Sequence, residues 1–206
     1  MKKFLIMILA GAMLLGGCSS APEKEPEDNS QQITEEVTDP KELLADMLEP
    51  MDAYIMCSVE NDIKYSSTDP LSFWMPMFYF VGLYGTDHEL AQFENAELKI
   101  KASAVEEYAS VLFNEFKELP ALPEEMSSRI TYDETDDTYI LQTGDRGASH
   151  PVIDAAVMAN DGSYVVEASL MDSIDNTVIA SGSFLVIERE TPAGKYNYSI
   201  ISADIF

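Results

Sequence analysis

The stretch TVIASGSFLVIERE, residues 177–190, decides the fold. Its β-branched and aromatic residues recur with a period of two over a run that reads as one long strand, with Gly182 as the expected bulge or bend. The same period extends on both sides. Upstream, a turn at Asp172–Asn176 follows a strand over Tyr164–Met171, and a turn at Asn160-Asp161-Gly162 follows a strand over Pro151–Ala159. Downstream, Pro192-Ala193-Gly194 turns the chain into Tyr196–Ile205. Earlier still, Ile130 and Tyr132 lead into a polar turn at Asp133–Asp137, and Tyr139 and Leu141 lead out of it. Thr143–Ser149 reads as a loop. Strands at this regular spacing form a run of antiparallel hairpins.

Before Arg129 the period is helical. Asp39 can cap a helix that has Pro40 in its first position and Glu42 three residues after the cap. Leu44, Met47, Leu48, Met51, Tyr54, Ile55 and Ser58 then follow one face, with Pro50 expected to kink or split it. A second helix starts at Asp69-Pro70 and closes at Gly85. It is apolar nearly all round, which marks a buried central helix, and Pro76 limits its regularity. Glu97–Lys101 could be a short strand. Ser103-Ala104-Val105-Glu106 reads as a capping box, followed by the stripe Val105, Tyr108, Ala109, Leu112, Phe113 and Phe116. Helices followed by a meander indicate an α+β fold of about three helices packed on a curved antiparallel β-sheet. This order of elements over residues 40–206, with its long bent strand, resembles the nuclear-transport-factor-2-like and cystatin-like cone folds. The resemblance implies a pocket between the helices and the concave sheet. Members of such folds include small-molecule isomerases and dehydratases, and also many non-catalytic binding domains.

The N-terminus carries an address. Lys2 and Lys3 precede an apolar or small-residue run from Phe4 to Leu15, too short for a spanning helix of roughly 20 residues. Leu15-Gly16-Gly17-Cys18 closes it and resembles the lipobox of bacterial lipoprotein precursors. The resemblance implies cleavage between Gly17 and Cys18 and a diacylglyceryl thioether on Cys18, whose two acyl chains suffice for stable anchoring. Residues 1–17 are then a signal peptide, and the protein is expected at the extracytoplasmic face of the cell membrane. Residues 18–38 are the lipidated cysteine and an acidic linker, rich in Glu, Pro, Ser, Gln and Asp and too poor in apolar residues to fold. Residues 39–206 are a single extracytoplasmic domain.

The chain has 37 acidic and 12 basic side chains, a formal charge of −25. Cleavage would remove Lys2 and Lys3 and leave −27. Such a balance speaks against nucleic acid, whose capture needs basic side chains, and against a polybasic grip on anionic lipid. It keeps the protein soluble and favours cations or basic partners. With Cys18 lipidated, Cys57 is the sole thiol, so the fold rests on its core, and Cys57 reads as a buried structural residue.

An enzyme in a cone pocket would need a buried acid or base near a hydrogen-bond donor. Asp154, within Val152–Val157, and Glu167, after Val165-Val166, are the candidate carboxylates; facing water on a half-exposed sheet is the alternative. Tyr54, Trp74, Tyr79 and Asp154 are the expected pocket residues. His88 and His150 lack metal-ligand spacing, the acidic turns lack the calcium-loop pattern, and no metal or cofactor is expected. Met47, Met51, Met56, Met75 and Met77 read as core filling. Three functions stay open: a lipid-anchored surface module binding a small molecule or envelope partner without catalysis, a small-molecule lyase or isomerase, and a structural module working as a homodimer.

Overall fold

The computed structural model describes residues 39–206. The signal peptide 1–17, the Gly17/Cys18 cleavage and lipidation site, and the acidic linker 18–38 lie outside the described residues.

Asp39 caps helix α1 (Pro40–Leu43) by accepting the Lys41 N–H at 3.0 Å. The chain then passes through a 3₁₀ turn, Ala45–Met47, into α2 (Leu48–Asn61). The break therefore precedes Pro50, which sits in the first turn of α2. An N–H there has no acceptor within the helix, so proline fits without a kink. Asp69 caps α3 (Pro70–Tyr84) through the Ser72 N–H at 2.8 Å, and α3 carries Pro76 in its interior. It buries Phe73, Trp74, Met77, Phe80 and Val81.

The expected capping box does not form. Helix α4 (Ala102–Leu112) starts directly from the preceding strand with Lys101 at the cap, so Ser103 lies inside the first turn, and the Ala102 N–H donates to Asp137 O at 3.0 Å. The helix also stops before Phe116. The Asn114 N–H turns away to Ile200 O at 2.8 Å, yet Phe113 remains buried.

All strands are antiparallel, but they form two sheets rather than one. The first has the order β1 (Ala91–Glu94), β2 (Glu97–Lys101), β4 (Thr138–Gln142), β3 (Ile130–Asp133). The hairpin at 130–142 thus pairs with β2 instead of extending the meander. Strand β1, absent from the sequence reading, is joined to β2 by Asn95-Ala96, both at positive φ as a two-residue hairpin turn requires. The second sheet is the meander β5 (Ser149–Met158), β6 (Tyr164–Asp172), β7 (Val178–Ala193), β8 (Tyr196–Ile205). Its inner face, with Val166, Ala168, Phe184, Val186 and Ile200, packs on α2 and α4. The α+β class with helices on antiparallel sheets is what the pattern indicated.

Gly182 is not a bulge. It pairs in register with Ala168 and Ile205, and a Cβ there would lie 2.5 Å from Ile205 Cδ1 and 2.9 Å from Phe184 Cε2. The glycine serves close packing. The bulges fall elsewhere, one of them at Asp154 between Ile153 and Ala155. Among the described residues no helix is long and apolar enough to cross a membrane.

Candidate functional site

The chemistry gathers around the C-terminal half of α3. Helix α2 carries Asp52 fully buried. Its Oδ2 accepts from Tyr84 Oη at 2.5 Å and its Oδ1 from Arg146 Nη2 at 2.9 Å. Arg146 also donates through Nη1 to Tyr84 Oη at 2.6 Å and through Nε to Ser149 O at 3.1 Å. The triangle pins the 143–148 loop to α2 and α3. Burial raises the Asp52 carboxyl above the ordinary carboxylate range, while the Tyr84 hydroxyl and then Arg146 draw it back.

A cleft of about 330 Å³ opens beside Tyr84, bounded by the loop after α3, by α4 and by the β7–β8 turn. Tyr84, Tyr108 and Tyr196 border it. Each hydroxyl is engaged elsewhere: Tyr84 in the triangle, Tyr108 on Tyr84 O at 3.0 Å, Tyr196 on Glu49 Oε2 at 2.5 Å. Phe80 backs them, edge-on to Tyr108 at 4.9 Å and to Tyr196 at 5.5 Å. The tyrosines therefore offer fixed ring surface rather than free hydroxyls. Burial lifts the Tyr108 hydroxyl to about 12, so it stays protonated.

The rim of this cleft carries Asp87, Glu89 and Glu107 beside His88. His88 Nδ1 accepts the Leu90 N–H at 3.1 Å, so the neutral ring keeps its proton on Nε2, which points at Glu107 Oε2 3.4 Å away. Lys195 pairs with Glu49 at 2.5 Å, and its Nζ stands 5.4 Å from the Tyr196 ring centroid.

A second cleft, of about 300 Å³, lies between α2, α3 and residues 142–145. It shares no lining residue with the first.

The four residues expected to share a pocket are dispersed. Tyr54 and Trp74 are core residues; Tyr54 meets Phe184 edge-on at 6.2 Å and Trp74 Nε1 donates to Pro120 O at 3.0 Å. Tyr79 lines the second cleft. Asp154 and Glu167 are exposed. Asp154 is the extra residue of the β5 bulge, and beyond it Ala155 pairs with Glu167 across the outer, wet face of the meander. Asp154 Oδ2 accepts from Ser169 Oγ at 2.6 Å there. Among the described residues the fully buried acid is instead Asp52. Its signal was present: it stands four residues after Leu48 and three before Ile55, on the apolar stripe itself.

Cys57 is buried and its thiol is pushed up to about 12 by that burial. The five methionines lie in the core. The acidic turns bind their own backbone, Asp133 accepting Thr135 N–H at 2.9 Å and Asp172 accepting Ile174 N–H at 2.7 Å. Among the described residues no group of three or more His, Cys, Asp or Glu side chains is placed to hold a metal ion. No family model, curated protein or solved structure matches this chain.

Proposed function

We propose that this chain is a lipid-anchored module at the extracytoplasmic face of a membrane that binds a small organic cation, without catalysis, in the tyrosine-bordered cleft. Cys18 supplies the anchor and the acidic linker supplies reach from the surface. The observation that carries the ligand class is the pairing of ring surface with an acidic rim. Tyr84, Tyr108 and Tyr196 have committed hydroxyls, Asp87, Glu89 and Glu107 lie beside them, and with Arg146 and Lys195 already against the Tyr84 and Tyr196 rings, Tyr108 is the ring left for a ligand cation. Aromatic faces attract cations through the ring quadrupole, and a chain of formal charge −25 concentrates them nearby.

Titration calorimetry of the full chain with benzyltrimethylammonium tests this. Saturable binding that weakens with added salt is expected, and Glu107→Gln should weaken it by roughly two- to tenfold. Absence of saturable binding, or binding indifferent to both salt and Glu107→Gln, overturns the assignment.

A lyase or isomerase of the kind considered from the sequence would need a buried carboxylate at 154 or 167, and both face water. A second reading, homodimerisation through the outer face of the meander, draws on Val157, Val165 and Val178, which stand exposed there. Sedimentation velocity decides it: a monomer at high micromolar concentration rules it out.

A further inference from the structure

We infer that the second cleft is a binding site for a zwitterion of the α-amino-acid class bearing an apolar side group. The first observation is a cation without an anion. Arg129 enters the cleft just ahead of β3, and its Nη1 donates only to the thioether of Met75, at 3.2 Å, with the guanidinium 5.5 Å from the Phe78 ring centroid. Among the described residues no carboxylate oxygen comes within 4.0 Å of it, and its Nε and Nη2 donors have no protein partner. A thioether is a weak acceptor for a group built to grip carboxylates by a two-pronged fork.

The second observation is that the same cleft holds opposite charge kept away from Arg129. Glu60, in the last turn of α2, accepts the Tyr79 hydroxyl on Oε2, and Asn61 Nδ2 donates to that hydroxyl at 3.1 Å. Its Oε1 makes no hydrogen bond among the described residues. Asp145 adds a second carboxylate to the lining, with Oδ1 accepting the Gly147 N–H at 3.3 Å. Tyr79 clamps the acid and Met75 with Phe78 holds the base, so the two charges do not collapse onto each other. Bridging them takes one molecule with a carboxylate for Arg129 and an ammonium for Glu60 or Asp145.

The apolar part of the lining fixes the remainder of the ligand. Met56, Phe78 and Leu83 border the cleft, and at Gly82 there is no side chain to fill it. A Cβ at Gly82 would meet only Thr143 Cγ2, at 4.0 Å. The volume of about 300 Å³ stands at the small end of ligand pockets, which suits a single amino acid with a branched or aromatic side group.

The probe is L-leucine, titrated calorimetrically into the full chain. Two analogues dissect it: isopentylamine, which lacks the carboxylate, and 4-methylpentanoate, which lacks the ammonium. Leucine should bind saturably and each analogue roughly tenfold or more weakly, the loss of one charge-assisted contact. Arg129→Gln should erase the preference for leucine over the amine, and Glu60→Gln the preference over the acid. Gly82→Leu should abolish binding by filling the space at this position, where a Cβ meets only Thr143 Cγ2 at 4.0 Å, and a cooperative melting transition checks that the variant is folded. No saturable binding of leucine or L-phenylalanine overturns the assignment, as does an amine that binds as tightly as leucine, or a Gly82→Leu variant that still binds. Because the two clefts share no lining residue, benzyltrimethylammonium binding in the first survives Gly82→Leu whichever way this result falls.

Discussion

Asp52 shows how much one side chain can organise. A carboxylate with no solvent exposure is tolerated only when its oxygens are paired, and here Tyr84 and Arg146 supply both partners. Removing the guanidinium strands the acid. Arg146→Gln should therefore destabilise the fold by about 3–5 kcal/mol near neutral pH, measured by urea unfolding. The pH dependence has a definite sign. Without Arg146, burial raises the Asp52 carboxyl still further above its unfolded value. A raised value means a contribution that is complete below the ordinary carboxylate range and lost as pH rises through the folded value. The variant's deficit should thus be widest at neutral pH and shrink as pH falls towards about 4. A deficit independent of pH would mean that Asp52 is not the group left unpaired. The double variant Asp52→Asn, Arg146→Gln should lose less than Arg146→Gln alone, since no charge is then buried. The sequence placed Asp52 on the stripe but could not show its partners, which come from 32 and 94 residues away. Asp154 misled for a local reason. An apolar run hides which residue a bulge turns outward.

Helix α3 offers a sharper test at the scale of an element. Gly82 and Gly85 stand one turn apart and should respond oppositely to the same change. At Gly82 an added methyl meets open space, so Gly82→Ala gains the helix preference of alanine, about 0.5–1 kcal/mol of stability. At Gly85 the methyl would sit 2.4 Å from Val81 O and 3.2 Å from Leu98 Cδ2. The first of these is backbone and cannot step aside cheaply, so Gly85→Ala should lower stability. Thermal unfolding of the two variants checks both signs, and equal signs would refute the close approach at the helix end. The same helices mark where sequence patterns hold. Asp39-Pro40 and Asp69-Pro70 form the starts they advertise, because each aspartate has only local amides to satisfy. Ser103-Ala104-Val105-Glu106 does not, because pairing of the Ala102 N–H with Asp137 O, 35 residues away, carries the helix start back to Ala102 and leaves the serine inside the first turn rather than at the cap. Local motifs survive where no distant backbone competes. Gly182 looked like a bulge for the same reason, since Ile205 approaches it only where β8 has paired.

At the scale of the whole molecule, helices followed by a hairpin run were enough to give the α+β class, while the division into two sheets was not legible. The hairpin 130–142 has the same period as the meander, and only pairing with β2 assigns it to the other sheet. What the finished core does to its ionisable groups leads to a global expectation. Cys57 is raised by burial to about 12, as are Tyr108 and Tyr139, and Tyr84 and Tyr196 are raised further. In the unfolded chain a thiol ionises near 8.5 and a phenol near 10. Each raised group therefore adds stability that is whole below its unfolded value and lost as pH climbs through the folded one. The contributions run in the same direction, so melting temperature should hold to about pH 8.5 and then fall steeply towards pH ~12. Replacing Cys57 by alanine should flatten the first part of that descent, between about pH 8.5 and 10, while leaving the tyrosine-driven part in place. It should also lower stability at every pH through the cavity it leaves. A melting temperature unchanged through about pH 11 would mean that the phenols reach water in the folded state, and with that the fixed tyrosine border of the first cleft would fall as well.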